Sequence, residues 1–208
     1  MMKLELRYAV HPEDFKSYDT GRIRKEFLIE SLFEKDVITF VYSMYDRYMV
    51  GGAMPVTKTL DLSSPEELKS DNFLDRREIG IINVGGGAVI TADGVIYEIS
   101  FKEALYLGKE TKGVTFRSVD PLKPAKLYIN SAPAHCRYPS KKISIREAEA
   151  VELGSLEESN HRVINKLLIN SVVDTCQLQM GMTELKPGSV WNTMPVHTHN
   201  RRMEAYFY

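Results

Sequence analysis

The chain lacks most of the features that would place it in a specialised class. No apolar run approaches the roughly 18–20 residues of a membrane span. The opening residues, Met1-Met2-Lys3-Leu4-Glu5-Leu6-Arg7, alternate charge with leucine and have none of the apolar centre of a secretory signal. Charge of one sign is missing too: 27 basic residues face 28 acidic ones, for a formal net charge of −1. That balance supplies neither the basic footprint of a nucleic-acid binder nor an acidic tail. Cysteine is scarce. The two present, Cys136 and Cys176, are too few for a disulfide framework and too far apart in sequence for a zinc knuckle. They read as two reduced, mostly buried thiols, which points to a cytoplasmic protein. Internal repeats and low-complexity tracts are not visible.

What is present is ordinary globular material. With 208 residues, 43% hydrophobic and 26% charged, the chain can hold one large β domain or two of about a hundred residues, each with a core. Helical signal is confined to the N-terminal part. His11-Pro12-Glu13-Asp14-Phe15 reads as a short helical turn with proline near its first position and acids in the first turn, leaving His11 as a surface residue beside it. The run from Arg22 to Phe33 places Ile23, Phe27, Leu28 and Leu32 on one helical stripe, with Thr20 as the candidate N-cap.

From residue 37 onward the texture is β. Val37 to Tyr42, Asp46 to Gly52, Ile79 to Val84, Val114 to Phe116 and Lys126 to Ile129 are rich in β-branched and aromatic residues. Two apolar runs around Asp93-Gly94 predict a hairpin, because that pair tolerates positive φ. Gly85-Gly86-Gly87 suggests a phosphate loop, but no Gly-Lys-Ser/Thr follows and the next segment reads as a strand. A turn or bulge is the better reading. Residues 131–159, with Pro133, Pro139 and mixed charge, read as a connector. Adjacent residues face opposite ways in an extended chain, so His135 and Cys136 do not suggest a catalytic pair. A second β run follows: Val163 to Ile169, then Cys176 to Leu185. In the latter, Cys176, Leu178, Met180 and Met182 take one face, and Lys186-Pro187-Gly188 closes it as a turn. Many short strands punctuated by glycine and proline predict a sandwich or barrel.

The chemistry gathers at residues 194–208. In an extended strand His197 and His199 share a face, and Glu204 follows five residues after the second. Two imidazoles and a carboxylate suit Zn, Mn, Fe or Ni with positions left open. Glu204 shares its side of the chain with Tyr206 and Tyr208.

Gly188, His197-Thr198-His199 and Glu204 resemble the first motif of the cupin superfamily, although the eight residues between Gly188 and His197 make a longer spacer than usual. The whole chain resembles the 5-keto-4-deoxyuronate isomerase family. The segments that carry this are His11 to Thr20, Tyr45-Asp46-Arg47, Gly51-Gly52, Arg76-Arg77-Glu78, Ser131 to His135, Thr175 to Leu178 and Gly188 to Pro195, the last running straight into the histidines. The resemblance implies a mostly β subunit of two cupin-like β-barrel or jelly-roll domains with short N-terminal helices. Residues 1–155 would form the first domain, and 156–208 the start of a metal-binding second whose barrel is incomplete in this chain. It further implies a homohexamer with one Zn2+ per subunit, held by three histidines and a glutamate. Three of those four carry over, onto His197, His199 and Glu204. The fourth is expected on a strand beyond Tyr208, so the chain is expected to be a piece of a longer protein.

The implied reaction is a ketol isomerisation in pectin and uronate degradation. It converts 5-dehydro-4-deoxy-D-glucuronate to 3-deoxy-D-glycero-2,5-hexodiulosonate. The substrate carboxylate needs a cation, for which Arg162, Lys166 and Arg201 are the candidates; the sequence does not name the general base. The same donor set would also serve an Fe(II) cupin dioxygenase, and a non-catalytic sugar-binding bicupin could retain the motif.

Overall fold

Strand-forming sequence dominates the fold as expected. The computed structural model describes residues 1–192 and 203–208. Its strands are β1 (Met2–Arg7), β2 (Ile38–Ser43), β3 (Met49–Ala53), β4 (Leu60–Asp61), β5 (Arg77–Asn83), β6 (Ala88–Ala92), β7 (Val95–Ile99), β8 (Ala104–Leu107), β9 (Val114–Ser118), β10 (Leu127–Pro133), β11 (Lys141–Ile143), β12 (Glu149–Leu153), β13 (Arg162–Leu168) and β14 (Met180–Leu185). Helices α1 (Pro12–Phe15) and α2 (Thr20–Phe27) lie between β1 and β2. None of the described helices is long and apolar enough to cross a membrane.

Local chemistry explains the helix ends. His11 caps α1, its Nδ1 accepting from the Glu13 N–H at 3.2 Å, and stays exposed. Asp19, not Thr20, caps α2, with the Arg22 N–H donating to Oδ1 at 2.7 Å. The helix stops at Phe27 instead of running to Phe33, because Leu28 is already extended. Beyond it Leu32 is buried on the second core described below, with Ile29 and Phe33 packed there as well. Burial against a sheet overrides a helical stripe whose other members, Ile23 and Phe27, remain exposed.

Three sheets result. The largest runs β1-β2-β3-β10-β5-β8-β11, the second β4-β9-β6-β7 and the third β12-β13-β14. The hairpin of β6 and β7 turns at Asp93 (φ 49°) and Gly94 (φ 81°), as the sequence predicts. β1 pairs parallel to β2 at an edge, Met2 and Leu4 packing against the core while Lys3 pairs with Glu34 at 2.6 Å. Its charge–leucine alternation is therefore the ordinary period of a half-buried strand.

The seven-stranded sheet is covered on both faces. Ile79 and Ile81 of β5 face a core shared with the four-stranded sheet, including Ile90, Ile99 and Phe116. Ile82, on the opposite face, meets Leu167, Leu168, Leu178 and Met180. Each such side chain, fully buried, contributes about 1.5–3 kcal/mol. Gly80 lies on that second face. A Cβ there would come within 2.5 Å of Met180 Sδ and 2.6 Å of Leu168 Cδ2, so glycine is what lets the covering layer approach.

The connector expectation for 131–159 is corrected. Ser131 to Pro133 complete β10, and the segment also contains β11 and β12. Its mixed charge belongs to exposed edges: Glu149 of β12 is paired with Lys166 of β13 at 2.6 Å. The alternation from Cys176 holds in burial, Leu178 and Met180 inside and Gln177 and Gln179 outside, but the strand begins only at Met180. The described residues form open sheets and no closed barrel, so the two-barrel expectation is met only as a mostly β fold.

Candidate functional site

Of the motif at the end of the chain, Glu204 is described; His197, His199 and Arg201 lie outside the described residues. Residues 203–208 belong to no sheet. Their aromatic side chains fix them: Phe207 stacks on Tyr128 of β10 at 5.1 Å and meets Phe33 edge-on at 5.7 Å. Glu204 is exposed and accepts the Tyr206 hydroxyl at 2.8 Å, so the two share a side as the alternation requires. That hydrogen bond, followed by burial, raises the Tyr206 pKa above its usual value.

Glu204 and Tyr206 line a cavity of about 770 Å³. Its other walls come from β1 to β3, the segment after α2, and Tyr128, with Arg7 and Arg24 among the lining side chains. Two other predicted residues are elsewhere. Arg162 and Lys166 stand on β13 and do not line this cavity. The Arg162 Nη1 donates to the Asn160 carbonyl at 2.9 Å, and Lys166 is held by Glu149.

A second group was hidden from the sequence. The chain bends at His135 and Cys136 instead of extending, which brings their side chains together and corrects the assumption that they diverge. The ligand atoms of His135, Cys136 and Cys176 all lie within 4.8 Å of one another. The two thiols are half-buried, less covered than expected, and their sulfurs are 3.7 Å apart.

Glu78 of β5 organises this region. It is fully buried, and its carboxylate accepts the N–H groups of Cys176, Gln177 and Leu178 at 2.7–2.8 Å together with the Tyr106 hydroxyl at 2.8 Å. Four donors converge on its two oxygens. Burial first, then the Glu78 contact, raises the Tyr106 pKa. Burial likewise pushes the Cys176 thiol up. The sequence signal was an acid next to the apolar centre Ile79-Gly80-Ile81-Ile82 of a strand, two residues from Gly80 on the same face.

The sequence profile of the KduI/IolB family matches residues 27–207. The chain belongs to the KduI/IolB family. It is 60% identical over 204 residues to the 4-deoxy-L-threo-5-hexosulose-uronate ketol-isomerase of Bacteroides fragilis, covering 98% of this chain and 73% of that protein. It is 59% identical over 204 residues to 4-deoxy-L-threo-5-hexosulose-uronate ketol-isomerase 1 of Bacteroides thetaiotaomicron, covering 98% and 73%. The ketol-isomerase of the same name from Escherichia coli is 51% identical over 207 residues, covering 99% and 74%. The chain thus spans roughly three quarters of the length of these family members. Among solved structures, an IolB-like protein from Salmonella typhimurium aligns with 62% of this chain and 46% of its own at 18% identity and a TM-score of 0.47, a likeness that adds nothing to the assignment.

Proposed function

We propose that this chain acts as a ketol isomerase on 4-deoxy-L-threo-5-hexosulose uronate, in the degradation of uronates. The observation that carries the reading is 60% identity over 98% of the chain to a relative of that name. The reaction is an intramolecular redox exchange: C1 gains the hydrogen that C2 loses, and the carbonyl moves from C1 to C2. No external oxidant or reductant is needed.

His197, His199 and Glu204 are the proposed metal-binding residues. The fit rests on donor chemistry: two neutral imidazoles and a carboxylate are a set that divalent zinc accepts while leaving positions open. Zinc bound there would supply Lewis-acid polarisation of a carbonyl and a neighbouring hydroxyl oxygen. The exposed Glu204 at the wall of the 770 Å³ cavity is compatible with a small keto-uronate arriving from solvent. Tyr206, bonded to Glu204, orients that carboxylate. The same reading includes one zinc per subunit at these three residues, a homohexamer and a cytoplasmic location. Arg201 is its candidate for holding the substrate carboxylate, since Arg162 and Lys166 do not line the cavity.

The test is turnover of the keto-uronate by metal-analysed full-length protein, with and without chelator, under anaerobic conditions. Zinc-dependent anaerobic isomerisation that His197→Ala abolishes, with the melting temperature unchanged, is the expected result. Oxygen uptake with iron, or substrate binding without turnover, would overturn it.

A further inference from the structure

The cysteine pair is in thiol–thiol contact and takes no part in the site assigned to the uronate chemistry. Two thiolates bound to one tetrahedral zinc at about 2.3 Å stand about 3.8 Å apart. Cys136 and Cys176 Sγ are separated by 3.7 Å. A disulfide would place them at about 2.05 Å. Two-coordinate linear binding of a soft cation at a similar bond length would push them to about 4.6 Å. The observed separation matches the edge of a tetrahedron, and His135 adds a nitrogen donor within the same 4.8 Å cluster.

Both halves of the cluster are held before any ion arrives. Glu78 fixes the Cys176 side through the three backbone N–H groups of residues 176–178. Gln177 Nε2 donates to the Pro133 carbonyl at 2.7 Å, tying that loop to the end of β10 from which His135 and Cys136 project. The Cys176 thiol also rests 3.3 Å from the Cys136 carbonyl. Preorganisation by hydrogen-bonded surroundings of this kind accompanies metal ligation. His135 is exposed and the cysteines half-buried, so water can fill a fourth position.

We propose that His135, Cys136 and Cys176 form a solvent-accessible Cys2His site for Zn2+, separate from His197, His199 and Glu204. On binding, each thiol releases its proton to solvent and two sulfur–zinc bonds form with one from the imidazole; no electron is transferred. The ion clamps the end of β10 to the segment entering β14.

Because the chain has two cysteines in all, cobalt spectroscopy on the full chain is decisive. Fully reduced, metal-stripped protein is titrated with Co2+ and watched for the near-ultraviolet thiolate-to-cobalt charge-transfer band. The expected result is a band that is saturated by about two equivalents, one for each proposed site, disappears on adding Zn2+, and in His197→Ala persists and saturates by about one. His135→Ala should weaken cobalt binding at least about tenfold. Zn2+ should also slow reaction of both thiols with a disulfide reagent in the unmutated protein, a readout that needs no variant to fold. Absence of the band in protein whose two thiols titrate as free and reduced would overturn the site. A band lost in His197→Ala with fold intact would overturn its separateness.

Discussion

Glu78 and Glu204 each accept a tyrosine hydroxyl at 2.8 Å, yet their settings are opposite. Glu78 is fully buried in the central sheet and surrounded by three further backbone donors. Glu204 is exposed at a cavity wall in a segment that joins no sheet. The first carboxylate takes the place of a strand ladder, holding a loop where no partner strand runs. The second is placed where a dissolved species can meet it. The difference teaches that burial, more than residue type or hydrogen-bond partner, separates a scaffold carboxylate from one open to solvent in this fold.

The comparison can be broken most severely at Glu78. Glu78→Ala leaves three loop N–H groups and the Tyr106 hydroxyl without their acceptor, and should lower stability by roughly 3–5 kcal/mol in urea denaturation. Glu204→Gln should do the reverse, leaving urea stability within about 0.5 kcal/mol and lowering turnover at least about a hundredfold. If Glu204→Gln unfolds the protein instead, the contrast fails. Gly80→Ala tests whether the layer over Glu78 is as tightly seated as the geometry says; a methyl meeting Met180 and Leu168 should cost about 1–3 kcal/mol. Tyr206→Phe sharpens the other side, with turnover falling by roughly tenfold and thermal stability nearly unchanged.

The smallest effect is a pH dependence. The hydrogen bond from the Thr57 hydroxyl, opposed by burial and aided by the N–H groups of Val56 and Thr57, holds the Asp36 carboxyl well below the usual carboxylate range. Its stabilising contribution is complete above the unfolded carboxyl pKa of about 3.9 and is lost as pH falls through the lower folded value. The stability gap between the protein and Asp36→Asn should therefore be constant above about pH 5 and close in stronger acid.

Much of the fold was legible where a single period governed a stretch. The hairpin at Asp93-Gly94, the strand through Ile79 to Asn83 and the turn at Lys186-Pro187-Gly188 are local, and local chemistry decided them. The signal failed where pairing alone made the strand. β11 carries two lysines and β12 two glutamates at sheet edges, and the end of the α2 stripe was extended by burial of Leu32. The candidate metal motif was readable as a donor pattern. The cysteine cluster was not, because forty residues and a bend at 135–136 separate its members along the chain.

By itself, then, the sequence determined a mostly β protein of the KduI/IolB family and offered His197, His199 and Glu204 as candidate metal donors. Donor type and strand periodicity are properties of neighbouring residues and survive in a linear reading. Only the tertiary structure decided that Glu78 would hold the 176–178 loop from 98–100 residues away and bring Cys176 to Cys136. The physical reason is that a buried carboxylate must find its donors wherever the fold supplies them, and no spacing rule encodes that distance.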